Sequence, residues 1–110
     1  MARKQTTTAP LLDDAERAAQ LAEMLKAVAH PLRLRLIAAL CEGERRVTEL
    51  VERLDVPQAA VSQQLRILRM SSLVQVDRTG GAAHYRLAEP RLQDLVACVN
   101  GCRRSEGRTA

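Results

Sequence analysis

The chain contains no phenylalanine, no tryptophan and one tyrosine, Tyr85. Binding of single-stranded nucleic acid relies on aromatic platforms for base stacking, so that class of function is disfavoured at once. The core must be aliphatic, built from Leu, Val, Ile and Ala. A chain of 110 residues makes one domain. At that size much apolar surface stays outside, and a dimer that covers it is expected. Long apolar runs are missing as well: none approaches the roughly 18 residues of a membrane span. Met1 to Pro10 has no apolar stretch of the kind an export signal needs. Three cysteines without an export signal argue against a disulfide scaffold. A reducing cytoplasm is the expected setting, with thiols that are free, metal-bound or regulatory. Catalytic material is scarce too. There is no Ser/His/Asp arrangement, no phosphate-binding glycine loop and no HExxH, so no enzymatic activity is expected.

The charge is unevenly placed. Residues 1–57 hold nine Lys/Arg and nine Asp/Glu, while residues 58–110 hold eight against four, so the whole net charge of +4 sits in the second half. A basic half suits a polyanion, with a phosphate backbone as the leading case, and also serves solubility.

Periodicity predicts a mainly helical chain. Residues 1–11 read as a disordered tail. Asp13 with Glu16 resembles a capping box, after which Leu21, Met24, Leu25 and Val28 recur at helical spacing. His30-Pro31 ends this helix and starts a second, Pro31 to Cys41, with Leu32, Leu36 and Leu40 on one face, Arg33 and Arg35 off it, and Gly43 beyond its end. A short third helix over 48–54 has Thr48 as its N-cap. Asp55-Val56-Pro57 makes a tight turn into a fourth helix, Pro57 to Met70, with an inner stripe of Val61, Leu65 and Leu68. Val74 to Arg78 and Ala82 to Leu87 read as two strands joined by Thr79-Gly80-Gly81. A last helix starts near Pro90, carries Leu92, Leu95, Val96 and Val99, and stops at Asn100-Gly101. The domain thus spans 12–102, with a basic tail over 103–110.

Two short helices joined by a tight turn form a helix-turn-helix pattern when the second has a polar face free of acids. That face carries Gln58, Ala59, Ser62, Gln63, Arg66 and Arg69. Short and amide side chains suit base edges in a major groove, where Gln pairs bidentately with adenine, and the arginines suit phosphates. A β-hairpin directly after such a helix marks a winged helix. The wing tip, Arg78 to Gly81, would lie along the backbone or minor groove, with His84 near phosphate. A polar face is also what any solvated helix shows, so the order of elements is what raises the reading.

The stretches AVAHPLRLRLIAAL and GERRVTELVERLDVPQAAVSQQLRILRMSSLV, and the closing HYRL, resemble the ArsR/SmtB family of bacterial metal-sensing repressors. The resemblance covers about residues 20 to 100. It implies a dimeric winged-helix repressor on an imperfectly palindromic duplex operator, with the first and last helices building the dimer. The family's base-contacting positions fall on Ala59, Ser62 and Gln63. Ala59 is commonly Ser there, and Gly81 stands where the wing usually carries a basic residue. The family's Cys-Val-Cys thiolate site is replaced by Arg46-Val47-Thr48. Its zinc-type site falls on Glu89, Arg91, Cys102 and Ser105, where Arg91 is no ligand. By spacing, Cys98 and Cys102 meet on one helical face at i, i+4. With Cys41 as a third sulfur they would suit a soft ion such as As(III) or Cd²⁺. The alternatives are a cysteine-based redox or reactive-sulfur sensor, a Ni²⁺ or Zn²⁺ site using His84, His30, Glu89 or Asp94, plain packing of the thiols, and a regulator that works through an accessory protein.

Overall fold

Pro31 has no backbone N–H, which breaks the first long helical segment in two. The computed structural model describes residues 8–101, and their side chains from residue 10 onward. In it α2 (Ala15–Val28) ends just before the break and α3 (Pro31–Cys41) begins on it. Pro31 occupies the first turn of α3, where a missing N–H is harmless. His30 caps the helix, its Nδ1 accepting from the Leu32 N–H at 3.1 Å. Its assignment as a helix-start residue therefore holds, and that lone pair is not free for a metal.

Three local expectations shift. A short helix, α1 (Thr8–Asp13), begins within the stretch read as tail, with Pro10 tolerated in its first turn. The cap of α2 is Asp14 rather than Asp13, its carboxylate accepting from the Arg17 N–H at 3.0 Å. The third helix, α4 (Val47–Leu54), starts before Thr48. There Glu49 Oε1 accepts from the Arg46 N–H at 2.8 Å, so a carboxylate inside the helix does the work assigned to a Thr cap. That bond also holds the Glu49 carboxyl below its ordinary range.

Asp55 ends α4 in the left-handed conformation, φ 57°, which Asp tolerates better than most residues. Pro57 then precedes α5 (Gln58–Met70). Next comes an antiparallel hairpin of β1 (Val74–Asp77) and β2 (His84–Leu87), with Val74 opposite Leu87 and Asp77 opposite His84. The strands are shorter than their sequence pattern. Asp77 Oδ1 accepts from both the Thr79 N–H and its hydroxyl, which curls Arg78 out of the ladder. Gly80 and Gly81 follow at φ 81° and 88°, so a wider turn takes up Ala82 as well. A further bridge joins the hairpin to the α3–α4 loop: Arg45 and Tyr85 exchange both backbone hydrogen bonds, at 3.0 and 2.8 Å.

The core sits around α3, which packs against α4, α5, α6 (Pro90–Gly101) and β2. Leu36 and Ile37 of α3 meet Leu50, Val61, Leu65, Leu68, Val74 and Leu92, all fully buried. No charged or polar side chain is buried among the described residues. Tyr85, the one aromatic residue, lies half-buried against this cluster.

α6 starts on a clamp. Arg91 Nε and Nη2 donate to Glu89 Oε2 and Oε1 at 2.9 Å each, and the Arg91 N–H donates to Oε2 at 3.0 Å. These bonds bring the Glu89 carboxyl down from 4.5 to about 2 and push the Arg91 guanidinium up. No described helix is long and apolar enough to cross a membrane.

Two expectations follow from this packing. Leu36→Ala leaves a cavity at the centre of the core and lowers unfolding stability by about 2–5 kcal/mol, read as a lower urea midpoint at unchanged slope. A depressed carboxylate stabilises the fold above its unfolded range and loses that effect as pH falls through the folded value. The thermal midpoint of Glu89→Gln is therefore expected to lie below wild type at neutral pH. The gap should close as pH drops from 4.5 toward about 2, and a pH-independent gap would show that the clamp contributes nothing through its charge. The pair is exposed, so the effect is small.

Candidate nucleic-acid interface

Every third or fourth side chain of α5 enters the core: Val61, Leu65 and Leu68 are buried, as their spacing predicts. That fixes which side remains outside. Gln58, Ala59, Ser62, Gln63, Arg66 and Arg69 are all exposed. Pro57 and the left-handed Asp55 make the chain turn sharply between α4 and α5, so the exposed face projects from a short, stiff corner. The helix has no acidic residue in its first turn and ends on Arg69. Its N-terminal end contributes the positive end of the helix dipole. Met70, 73% exposed, extends this face with an apolar side chain that the sequence pattern had assigned only to the helix end.

The cations of the chain divide by what they touch. Lys26, Arg45, Arg46, Arg53, Arg86 and Arg91 each pair with a carboxylate. Arg33 and Arg35 donate to backbone carbonyls of Ala27 and Leu54. Among the described residues, Arg17, Arg66, Arg69 and Arg78 have neither kind of partner and stand in solvent, Arg17 on α2 and the other three on α5 and the wing turn. Arg78 sits at the start of the wing turn, and a side chain added at Gly80 or Gly81 would meet nothing within 4 Å. The wing tip is thus bare backbone with one cation at its edge.

His84 is half-buried in β2, opposite Asp77. Its charge acts on both Asp77 and Glu49, whose carboxyls are held below their ordinary range chiefly by hydrogen bonds, from Thr79 and from the Arg46 N–H. Two carboxylates therefore share its surroundings, unlike those of Arg66 and Arg69. The Arg45–Tyr85 bridge is the part of the wing that sequence reasoning missed. Gly43, at φ 136° after α3, and the polar run that follows it were the available signal for an extended segment.

The structure separates the residues considered for metal binding. Cys41 lies half-buried at the end of α3, its backbone carbonyl facing Gln93 Nε2 at 3.5 Å. Burial, and then Glu42, push its thiol up, away from the thiolate a metal needs. Cys98 is exposed on α6. It lies five residues past Gln93, roughly 140° around the helix and about 7.5 Å along it, so the flank that faces Cys41 is not the flank that carries Cys98. Cys102 and Ser105 lie outside the described residues. At the zinc-type positions, the guanidinium of Arg91 occupies both oxygens of Glu89, and that set does not fit a metal ion. His30 caps α3, His84 belongs to the hairpin and Asp94 to α6, and the described residues contain no group of three such ligands.

Comparison with known proteins agrees with this geometry. A profile of the arsR family of bacterial regulatory proteins matches residues 30–76. Over 90 residues the chain is 41% identical to the biofilm growth-associated repressor of Agrobacterium fabrum, an alignment that covers 82% of this chain and 77% of that protein. It is 42% identical over 89 residues to the HTH-type transcriptional regulator NmtR of Mycobacterium tuberculosis, covering 81% and 72%. The crystal structure of the transcriptional repressor BigR from Xylella fastidiosa superposes with a TM-score of 0.77 at 36% identity, covering 84% of this chain and 94% of that one. The chain belongs to the ArsR/SmtB family of winged-helix transcriptional regulators, a family without enzymatic activity.

Proposed function

We propose that the protein is a cytoplasmic homodimeric repressor that reads an imperfectly palindromic duplex operator through α5 and is released from it by a soft ion at the last helix. The observation that carries the first half is the exposed, acid-free face of α5 with its unpartnered Arg66 and Arg69. In a major groove, Ser62 and Gln63 reach base edges, Gln58 and Ala59 lie at the entry, and the arginines meet phosphate. Arg78 approaches the adjacent backbone, and His84 supports the wing from behind it.

A second copy is supported by the apolar surface that one chain leaves open. Leu34, Leu95, Val96 and Val99 line a shallow cleft between α3 and α6 of about 240 Å³. Val99 is 62% exposed, and Leu25 of α2 is exposed as well. Covering such a surface stabilises a small domain and holds two α5 helices about one turn of DNA apart.

For release, the reading rests on Cys98. It is an exposed thiol on α6, which runs as a helix through Gly101, and Cys102, outside the described residues, follows four residues on in the sequence. As(III) or Cd²⁺ suits such a pair. Binding there favours a different dimer geometry and weakens operator affinity, with a coupling of about 1–3 kcal/mol. Cys41 is left out of this reading, since its thiol is half-buried and pushed up, and its backbone carbonyl faces Gln93, on another flank of α6 from Cys98. The same separation disfavours a dithiol switch between Cys41 and Cys98 within one chain.

Arg66→Ala and Arg69→Ala are each expected to weaken duplex binding and to lower the slope of log affinity against log salt by about 1. Fluorescence anisotropy over a salt series reads this, and unchanged slopes would sink the assignment of the face. As(III) is expected to release wild-type protein from DNA, whereas Cys98→Ser with Cys102→Ser should bind DNA normally and ignore As(III). Release of the double variant by As(III) would remove the thiol site.

A further inference from the structure

In an α-helix the carbonyl of residue i accepts from the N–H of residue i+4. For Ala27, near the end of α2, residue i+4 is Pro31, which has no N–H. The nearby carbonyls find other donors: Lys26 O accepts from the Ala29 N–H and Val28 O from the His30 N–H. Ala27 O is reached by a side chain instead. Arg33 Nε donates to it at 2.7 Å. The same guanidinium extends to α5, where Nη1 donates to Gln64 Oε1 at 2.8 Å. A guanidinium only donates, so this contact also fixes which end of the Gln64 amide faces Arg33. Both bonds are partly buried, where they are less exposed to competition from water. Gln64 stands between the exposed Gln63 and the buried Leu65.

We propose that Arg33 is a positioning residue for operator recognition: one planar side chain closes the carbonyl that Pro31 leaves open on α2 and locks α5 to that helix through Gln64. The proposal rests on the reading of the protein as a dimer that binds duplex DNA through α5. In that reading α2 and α6 build the dimer, as the family resemblance implies, and α5 carries the base-reading face. A fixed angle between them sets the spacing of the two α5 helices, and hence the half-site separation the dimer accepts. The planar fork matters, because a lysine in its place offers one point charge and cannot hold two acceptors in fixed directions.

Two full-chain variants test this. Arg33→Met removes both bonds. Gln64→Met leaves the carbonyl of Ala27 capped and cuts only the link to α5. The first measurement needs no DNA. Spin labels are placed at Ala22→Cys on α2 and Met70→Cys on α5, with the native cysteines changed to serine and labelled chains diluted into unlabelled ones. The distance distribution is expected to be narrow in the otherwise unchanged chain and broader in both variants. Broadening in Arg33→Met alone, or in neither, overturns the link, since the first outcome is that of a helix cap only. The second measurement uses a duplex selected from a random library by the wild-type protein, and the same duplex with two base pairs inserted between half-sites. Wild type is expected to prefer the original spacing by about tenfold or more, and both variants by about threefold or less, with non-specific duplex binding unchanged. Full spacing preference in both variants overturns the proposed role. A wild-type chain that selects no duplex counts against the DNA-binding reading itself and removes the consequence for spacing, while the distance distributions still decide the link.

Discussion

Burial of aliphatic surface on α3 is the constraint on which the other elements depend. Leu36 and Ile37 have almost no exposure, and the helix that carries them touches α4, α5, α6 and the second hairpin strand. Without Phe or Trp there is no large side chain to span a gap between elements, so Leu, Ile and Val must interdigitate at close range. This explains why α4, with eight residues, holds its place: Leu50 and Leu54 enter the same cluster. It also explains the straightforward reading of α5. Once Val61, Leu65 and Leu68 are committed to the core, the helix has no rotational freedom, and the exposed set is determined by subtraction.

The arginines show a division of labour that charge counts alone do not reveal. Arg33 and Arg35 sit at adjacent odd positions of α3, off its apolar stripe, where periodicity gives them no partner. Each instead donates to a carbonyl at the end of another helix, Ala27 of α2 and Leu54 of α4. Both carbonyls lie in the last turn of a helix, where four such groups lack intrahelical partners. α3 therefore holds its neighbours by its polar side chains as well as by its apolar ones. The positive charge left for a polyanion is correspondingly smaller and more localised than the net +4 suggests. Among the described residues it sits on the outer face of α5, at the edge of the wing and, with Arg17, on α2.

What was legible in the sequence follows from the range of the interactions involved. Helix bodies, the break at His30-Pro31 and the exposed set on α5 depend on periodicity and on proline, and the structure bears them out. Caps were less legible. Asp13 and Asp14 are both competent, and only the geometry of the preceding α1 selects Asp14. Thr48 was a reasonable cap for α4, but the loop before it is drawn into a bridge with Tyr85, which brings Arg46 to the cap position and Glu49 within reach of its N–H. The hairpin shortened because Asp77 has Thr79 two residues on, a local turn that competes with the ladder. Among candidate ligands, the surroundings of Cys41 were illegible for the same reason as those of Arg33: what lies across from α3 depends on the side of each helix, and the Cys41 carbonyl meets Gln93 of α6.

The Glu89–Arg91 clamp bears on whether the start of α6 could hold a zinc ion. A metal site at the start of α6 would need carboxylate lone pairs free to turn toward a cation. Here both oxygens of Glu89 are engaged by a guanidinium two residues away, and the carboxyl is held down to about 2, so at neutral pH it is already neutralised by a tethered cation. Bringing in a dication would require breaking three hydrogen bonds and leaving Arg91 unpaired beside it, a like-charge contact that opposes binding. The start of α6 is thus closed to a cation, while farther along the helix Cys98 and Val99 remain exposed.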